Sequence, residues 1–492
     1  MKIVLISPLP AYDRIPQPFW VPLGLAFIAS NLRKNNHKVS IFDRHAMQTQ
    51  IGIDRNKINT DMIKHIKNIK PDLIGIQTIS PLIYDTVECV HLIREIYSGP
   101  IIAGGHHASA LPELTLQKIP GLNGVVVEEG EMPMSRMANG ENPASIPGFW
   151  WKNDENSIVH TASIQNKNLD ELPFPALNLL DMNYYTKPNI NAITGRYLSS
   201  VSLLTSRGCV NRCEFCSESI TYGKGVRFHS PEYVIEWIKC VLDDYPIEGI
   251  YFHDNDFLIK EERVRDICDK ILSNGLHKKF KWAIQARAER INKDILKLLK
   301  RAGCVLIEIG AESNSQYQLD RVNKQTTVGI NEKAIDLCHQ EGVSVHVYMM
   351  TGFEGETISD VKDKLQWLKK LKANSFTWIP LMLHPGTVLY KKHGNQFYEK
   401  NDWNRKSIEN YNKKDTLSNI SNEEWIQWIN KYFLPYQIWH SSLNFFKINS
   451  PFKIISFIFT KRKKLVEFFI RLVKLTIRYN PMSKKAPNAR LN

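Results

Sequence analysis

The run Ser206-Arg207-Gly208-Cys209-Val210-Asn211-Arg212-Cys213-Glu214-Phe215-Cys216 follows directly on a short apolar segment, Ser202–Thr205. Three cysteines spaced C-x3-C-x2-C thus stand at the carboxyl end of a predicted strand. Three thiolates so close together suit an iron–sulfur cluster, and three ligands rather than four leave one iron with an open position. An open position is what a metal centre needs in order to engage a substrate. Structural zinc asks for a fourth ligand, usually from a second paired Cys or His unit, and no fourth ligand with that spacing is found.

Downstream, strand and helix patterns alternate. Strands are predicted at Gly249–His253, Lys281–Gln285, Val305–Ile309, Ser344–Met350 and Ser375–Pro380, with amphipathic helices such as Pro231–Leu242, Glu261–Leu272 and Asn292–Ala302 between them. Together with Ser202–Thr205 these make six strand–helix units, a parallel barrel, partial or full, whose active face is the carboxyl ends of its strands.

Upstream, five apolar runs alternate with helical patterns: Lys2–Ser7, Val39–Phe42, Leu73–Thr78, Pro100–Ala103 and Gly124–Val127. Helices are predicted near Leu23–Asn35, Asp61–Lys67, Tyr84–Ile96 and Glu113–Ile119. This pattern predicts a doubly wound domain, with ligands at the carboxyl ends of the strands. The turns there are Ser80-Pro81, Gly104-Gly105-His106-His107 and Glu129-Gly130-Glu131. Residues 136–195, rich in Asn, Pro and Trp, read as a linker stiffened by Leu172-Pro173-Phe174-Pro175. The predicted limits are 1–135 for the first domain, 136–195 for the linker, 196–395 for the barrel and 396–492 for a helical C-terminal region.

The composition of the 492 residues, 43% hydrophobic and 23% charged, is that of a globular protein of two or three domains. Of eight cysteines, Cys89, Cys240, Cys268, Cys304 and Cys338 stand alone in apolar patterns and are expected in the core. The start has no signal-peptide pattern, and no apolar run reaches the roughly 18–20 residues of a membrane span, so a cytoplasmic protein is expected. The charge of +14 is concentrated in the tail. Residues 452–492 hold eleven Lys or Arg against Glu467, leaving +4 elsewhere. The body therefore carries no electrostatic footprint for nucleic acid.

The cysteine spacing, its Ser-Arg-Gly lead-in and Phe215 resemble the radical S-adenosylmethionine (SAM) superfamily. There the open iron chelates the amino and carboxylate groups of SAM, and reductive cleavage yields a 5′-deoxyadenosyl radical. Further segments are similar to that family's pattern. They are Phe252-His253-Asp254-Asn255-Asp256-Phe257, Glu308-Ile309-Gly310-Ala311-Glu312-Ser313, Asn323-Lys324, Thr351-Gly352-Phe353-Glu354-Gly355-Glu356-Thr357 and His384-Pro385-Gly386-Thr387. Glu354 stands where the pattern has Pro. The resemblance implies a [4Fe–4S] cluster on Cys209, Cys213 and Cys216. It also implies SAM contacts from Phe215, Asp254, Asp256, Gln285, Arg287 and Glu312.

The N-terminal domain resembles the cobalamin-binding domain of one large radical SAM subfamily, on Gly104-Gly105-His106-His107-Ala108-Ser109-Ala110-Leu111-Pro112-Glu113 and Val127-Glu128-Glu129-Gly130-Glu131. This implies cobalamin contacts from Ser80, Gly104, Gly105, His106, Glu129, Gly130 and Glu131, the glycines letting backbone lie close to a large flat group. Proteins that ligate cobalt through His carry Asp-x-His-x-x-Gly after the first strand. Here that place holds Pro8-Leu9-Pro10-Ala11-Tyr12-Asp13, so no His on cobalt is expected, and His45, His106 and His107 read as loop or pocket-lining residues.

The fold expected is therefore α/β: a doubly wound cobalamin domain, a radical SAM (β/α) partial barrel and a helical C-terminal region. The activity implied is cobalamin-dependent methylation of an unactivated carbon, or phosphorus, of a biosynthetic intermediate. The alternative is a non-methylating member that forms, contracts or oxidises rings. Expected partners are a small-molecule or lipid-linked substrate and a reductant such as flavodoxin or ferredoxin. The apolar stripe and basic residues of Lys464–Arg478 read as an interfacial helix that places the enzyme at the inner face of a membrane.

Overall fold

The computed structural model describes residues 1–9, 20–51, 54–223, 225–394, 396–408, 417–458 and 460. The loop from Pro10 to Asp13 and the basic helix Lys464–Arg478 lie outside the described residues.

The first sheet forms because five apolar runs are flanked by helices that cover both faces. β1 (Lys2–Ser7), β2 (Lys38–Asp43), β3 (Leu73–Gln77), β4 (Ile101–Gly104) and β5 (Gly124–Val126) are parallel in the order β2-β1-β3-β4-β5. The order reverses between β1 and β3, which opens a crevice at their carboxyl ends. The segment read as a linker does more than connect. It adds β6 (Phe149–Lys152) antiparallel to β5 and β7 (Ile158–His160) antiparallel to β6, so the sheet has seven strands. Trp and Asn among weak alternation hid these edge strands.

The second sheet takes β8 (Ser200–Leu203), then β11 (Gly249–Phe252), β12 (Lys281–Gln285), β13 (Cys304–Glu312), β14 (Ser344–Thr351) and β15 (Ser375–Pro380), all parallel and in sequence order. β8 and β15 are its two edges, which makes it a partial barrel. Between β8 and β11 the chain turns aside into a small antiparallel pair, β9 (Ser206–Cys209) and β10 (Gly225–Phe228).

The helices begin where the chain supplies caps. Ser230 accepts from Tyr233 N and is followed by Pro231, opening Pro231–Asp244. Asn292 caps Lys293–Arg301, and Thr357 with Asp360 forms a capping box on Ile358–Lys370.

One core joins the sheets. Phe27 on the helix Leu23–Lys34 packs edge-on to Trp237 of the barrel at 5.6 Å, with Leu172, Tyr184 and Tyr185 of the connecting segment in the same cluster. A second cluster joins the other face of the first sheet to Leu381, Leu383, Tyr398 and Trp403 beyond β15. There His107 is wedged between Tyr398 and Trp403. Four of the five isolated cysteines are buried, while Cys240 is half-exposed on its helix beside Asp244.

Candidate functional site between the two sheets

The cysteine loop starts from a forced turn. Gly208 has φ +89°, and a Cβ there would stand 2.3 Å from the carbonyl oxygen of Gly225 across the β9–β10 pair. Behind it, Asp254 accepts from Thr205 N at 3.1 Å, from Thr205 Oγ1 at 2.8 Å and from Ser206 Oγ. Arg263 braces the same turn, donating to the carbonyls of Thr205 and His229, both at 2.9 Å.

Cys209, Cys213 and Cys216 are each half-buried, and none is in a disulfide. Asn211 N and Nδ2 stand 3.5 and 3.4 Å from Cys209 Sγ, and Arg287 Nη1 is 3.7 Å from Cys213 Sγ. Among the described residues no three ligand side chains converge closely enough for a single ion. A cluster asks for something else: each thiolate takes its own iron, so the sulfurs stand apart around it. Three sulfurs on one short loop, with N–H donors turned toward them, fit that group. Burial pushes the Cys216 thiol up to about 12, so it ligates only when a metal offsets the cost of its charge.

The other strand ends hold this loop. Asn323 Nδ2 donates to Arg212 O at 3.0 Å, and Arg287 donates to Lys324 O and Gln325 O at 2.5 and 3.1 Å. Lys324 Nζ meets Glu312 at 2.8 Å and lies 5.8 Å from the Phe215 ring. Burial opposes the lysine's charge, but Glu312 and the Cys213 thiol outweigh it and raise its pKa.

A cavity of about 620 Å³ opens between the two sheets. One wall is the carboxyl ends of the first sheet: Ser7, Gly75, Gln77, Gly104, Gly105, His106 and Glu128–Glu131. The other is the mouth of the barrel: Leu204, Glu218, Tyr222, His253, Asn255 and Gln285. The first wall is cut to take something close to backbone. Gly105 sits at φ +108°, and a Cβ there would lie 2.7 Å from the carbonyl oxygen of Thr78. At Gly75 a Cβ would lie 2.7 Å from Leu5 Cδ2 and 3.2 Å from Met134 Cε, both lining the cavity. A slot of this kind between sheet and helix, at a topological switch point, fits a large planar group with a nucleotide tail.

Buried charge ties the two walls together. Arg207, beside the cysteines, donates to Glu129 at 2.9 Å and Glu131 at 2.7 Å, and Arg227 reaches Glu129 at 2.8 Å. Burial works against the Glu129 carboxylate, but Arg227 and Arg207 more than offset it and lower its pKa. The guanidinium of Arg207 also lies 5.1 Å over the ring of Phe27. Trp20 reaches the barrel mouth and stacks on His253 at 4.7 Å, with Tyr251 at the same distance.

Several residues expected at the site are elsewhere engaged. Asp254 is wholly buried, and the residues that face the cavity are its neighbours His253 and Asn255. Asp254 is held away by its bonds to Thr205 and Ser206 in the loop that follows β11. Asp256 is paired with Arg290 at 2.6 Å. Phe215 packs into the second core cluster. Ser80 is turned from the cavity toward His107 Nδ1 at 3.0 Å, leaving Ile79 and Leu82 on the wall. Arg287 and Glu312 are spent on the cysteine loop and on Lys324. Gln285, Gly104, Gly105, His106, Glu129, Gly130 and Glu131 do line the cavity, His106 with its Nδ1 2.6 Å from Thr221 Oγ1. His45 lines it too. The reading of motifs missed Trp20, Glu218 and His253 as wall residues, because nothing local marks them. It also missed a polar layer inside the barrel, where Glu308 accepts from Tyr251, Tyr348 and Thr194 at 2.7, 2.8 and 3.1 Å.

Comparison with known proteins bears on this arrangement. The B12 binding domain family matches residues 16–138, and the Radical SAM superfamily matches residues 203–368. An uncharacterized methyltransferase of Pyrococcus horikoshii is 30% identical over 400 residues, 80% of this chain and 83% of that protein. The anaerobic magnesium-protoporphyrin IX monomethyl ester cyclase of Rubrivivax gelatinosus is 22% identical, over 77% of this chain and 67% of that one. Among solved structures, the methyltransferase TsrM from Kitasatospora setae, with tryptophan and a SAM analogue bound, shares the fold. Its TM-score is 0.66 at 17% identity, covering 80% of this chain and 76% of that chain. With both domains matched and their strand ends facing one cavity, the chain belongs to the cobalamin-binding radical S-adenosylmethionine enzymes, whose cofactors are a [4Fe–4S] cluster, SAM and cobalamin.

Proposed function

We propose that this enzyme transfers a methyl group to an unactivated carbon, or phosphorus, of a biosynthetic intermediate. The observation that carries this is the single cavity walled on one side by the first sheet and on the other by the barrel mouth. When bound, the cluster with SAM supplies a radical and cobalamin supplies a methyl group; the protein's part is to bind, orient and exclude water. The 30% identical relative carries the name of a methyltransferase, which supports the same reading.

In this proposal Cys209, Cys213 and Cys216 hold the cluster, with Asn211 and Arg287 donating toward their sulfurs. Gly104, Gly105 and Gly130 let the cobalamin lie against the backbone, and His106 and Glu129 line its edge. Gln285, His253 and Asn255 face SAM and the substrate from the barrel side. Asp254, Asp256 and Glu312 act at one remove, by fixing the loop and the lysine beside the cluster. Cobalt would take no histidine from the loop after β1, since Pro8–Asp13 contains none. The electron comes from a small carrier of the flavodoxin or ferredoxin kind. The basic tail holds the protein at the inner face of a membrane.

The test is anaerobic reconstitution followed by product analysis. The protein is expected to bind one [4Fe–4S] cluster and to release 5′-deoxyadenosine under reduction, and Ala at any of the three cysteines should abolish both. S-adenosylhomocysteine released in step with 5′-deoxyadenosine marks methyl donation. With the substrate present, 5′-deoxyadenosine alone would move the reading to the ring-forming alternative that the cyclase relative represents.

A further inference from the structure

The two C-terminal helices carry an exposed apolar face, and we propose that this face docks the enzyme on an anionic bilayer. The proposal rests on the membrane reading above and deepens it by naming the surface that inserts.

The helix Leu434–Ile448 has two sides. Inward, Tyr436 and His440 pack on Phe376 at 5.4 and 5.3 Å, and Asn444 and Phe445 are buried. Outward, Trp439, Leu443 and Phe446 are 61%, 42% and 57% exposed. Their spacing of four and then three residues puts them on one stripe. The helical residues 451–458 repeat the arrangement. Phe457 turns inward to Tyr197 at 5.2 Å and Phe445 at 4.8 Å, while Phe452, Ile455 and Ile458 are 79%, 54% and 46% exposed. Single exposed apolar side chains are ordinary, but six on consecutive turns mark an interaction surface.

Charge selects the occupant. No Asp or Glu occurs from Leu434 to Thr460, Lys447 and Lys453 lie within that span, and ten Lys or Arg against Glu467 follow it. An aromatic and aliphatic face followed in the sequence by ten cations fits the plane between headgroups and acyl chains of an anionic leaflet.

The position of the face sets the orientation. Asn449 donates to Gly195 O at 2.8 Å and accepts from Tyr197 N at 2.9 Å, and Lys453 pairs with Glu248 at 2.7 Å. These contacts lie at the amino ends of β8 and β11, whereas the cavity opens at the carboxyl ends. Bound this way, the enzyme keeps its cofactor cavity away from the bilayer. The face is thus an anchor, and docking does not require that the substrate be a lipid.

The test is flotation with phosphatidylglycerol-containing vesicles and with phosphatidylcholine vesicles, at low salt. Three proteins are compared: the full chain, the full chain carrying Trp439→Ser, Phe446→Ser and Phe452→Ser, and a chain ending at Thr460. Unchanged 5′-deoxyadenosine formation shows that the variants are folded. The full chain is expected to float with phosphatidylglycerol, the triple variant to lose about tenfold in affinity, and the shortened chain to keep part of its binding. If the triple variant floats like the full chain while the shortened chain does not, the face is refuted and the tail reading stands. Full chain that stays unbound refutes both. If gel filtration instead shows a dimer that the triple variant abolishes, the face joins two copies and the bilayer proposal is overturned.

Discussion

At Gly105 the backbone conformation and the neighbouring carbonyl of Thr78 both exclude a side chain. Gly105→Val is expected to lower cobalamin retained after desalting about tenfold, while cluster content holds, because the strain of about 1–3 kcal/mol falls on the cobalamin wall alone. Gly104→Ala is the control: its Cβ would find Val126 O at a tolerable 3.5 Å, so retention should change little. Equal retention in both variants would remove this turn from the cobalamin site. Asp254 makes the complementary case, a buried residue whose bonds hold the turn that starts the cysteine loop. Asp254→Ala leaves Thr205 N, Thr205 Oγ1 and Ser206 Oγ buried without an acceptor, at about 1–3 kcal/mol for each unsatisfied group. Iron and sulfide bound on reconstitution should fall by more than half, and Asp254→Asn should restore part of it. Full iron content in the Ala variant would show that the cysteine loop holds itself.

Between elements, the weight rests on the short β9–β10 pair, which carries both arginines of the clamp. Arg207 and Arg227 reach across to the loop after β5, so the cysteine loop and the cobalamin wall are positioned by the same buried charges. Arg207→Met would strand Glu131 in a dry site while Glu129 keeps Arg227, a loss of about 3–5 kcal/mol when one partner of a buried pair is removed. The expected outcome is a lower urea midpoint and cobalamin that dissociates faster. Adding Glu131→Gln should recover part of the midpoint, since the uncompensated charge is then gone. A double variant less stable than Arg207→Met would mean that Glu131 serves other partners more than Arg207.

Across the whole molecule, burial of neutral histidines sets the response to acid. Burial holds His107 at about 3 and His346 at about 4. For His229, burial and the nearby Arg207 outweigh the pull of Asp170 and leave it at about 4. The unfolded chain takes up these protons near pH 6.5 and the folded chain resists until about 4, so protonation favours unfolding in between. Stability should be flat above pH 7 and fall from about pH 6.5 toward 4, by up to about 1.4 kcal/mol per histidine per pH unit. Urea midpoints at pH 7.5, 6.5 and 5.5 measure it. His107→Leu should make the slope shallower. A slope that His107→Leu leaves unchanged would mean that this ring is reached by water in the folded protein.

The strand positions were legible because a buried parallel strand must be a short apolar run whatever surrounds it, and Lys2–Ser7, Lys281–Gln285 and Ser375–Pro380 stand as their sequences predict. The C-x3-C-x2-C spacing was legible for the same reason, being local to one loop. Which acid faces the cavity was not. Asp254 and Asp256 turn to Thr205, Ser206 and Arg290, partners that lie on other segments, and no local pattern announces a partner 34 or 48 residues away. The clamp of Arg207 on Glu129 and Glu131, the entry of Trp20 into the barrel mouth and the two strands added by the connecting segment depend likewise on how separate elements meet. Sequence alone determined the parallel strands of the two sheets, set by local patterning. Tertiary structure decided that both sheets open on one cavity and which side chains reach it, because burial and hydrogen-bond satisfaction are settled only when distant segments pack.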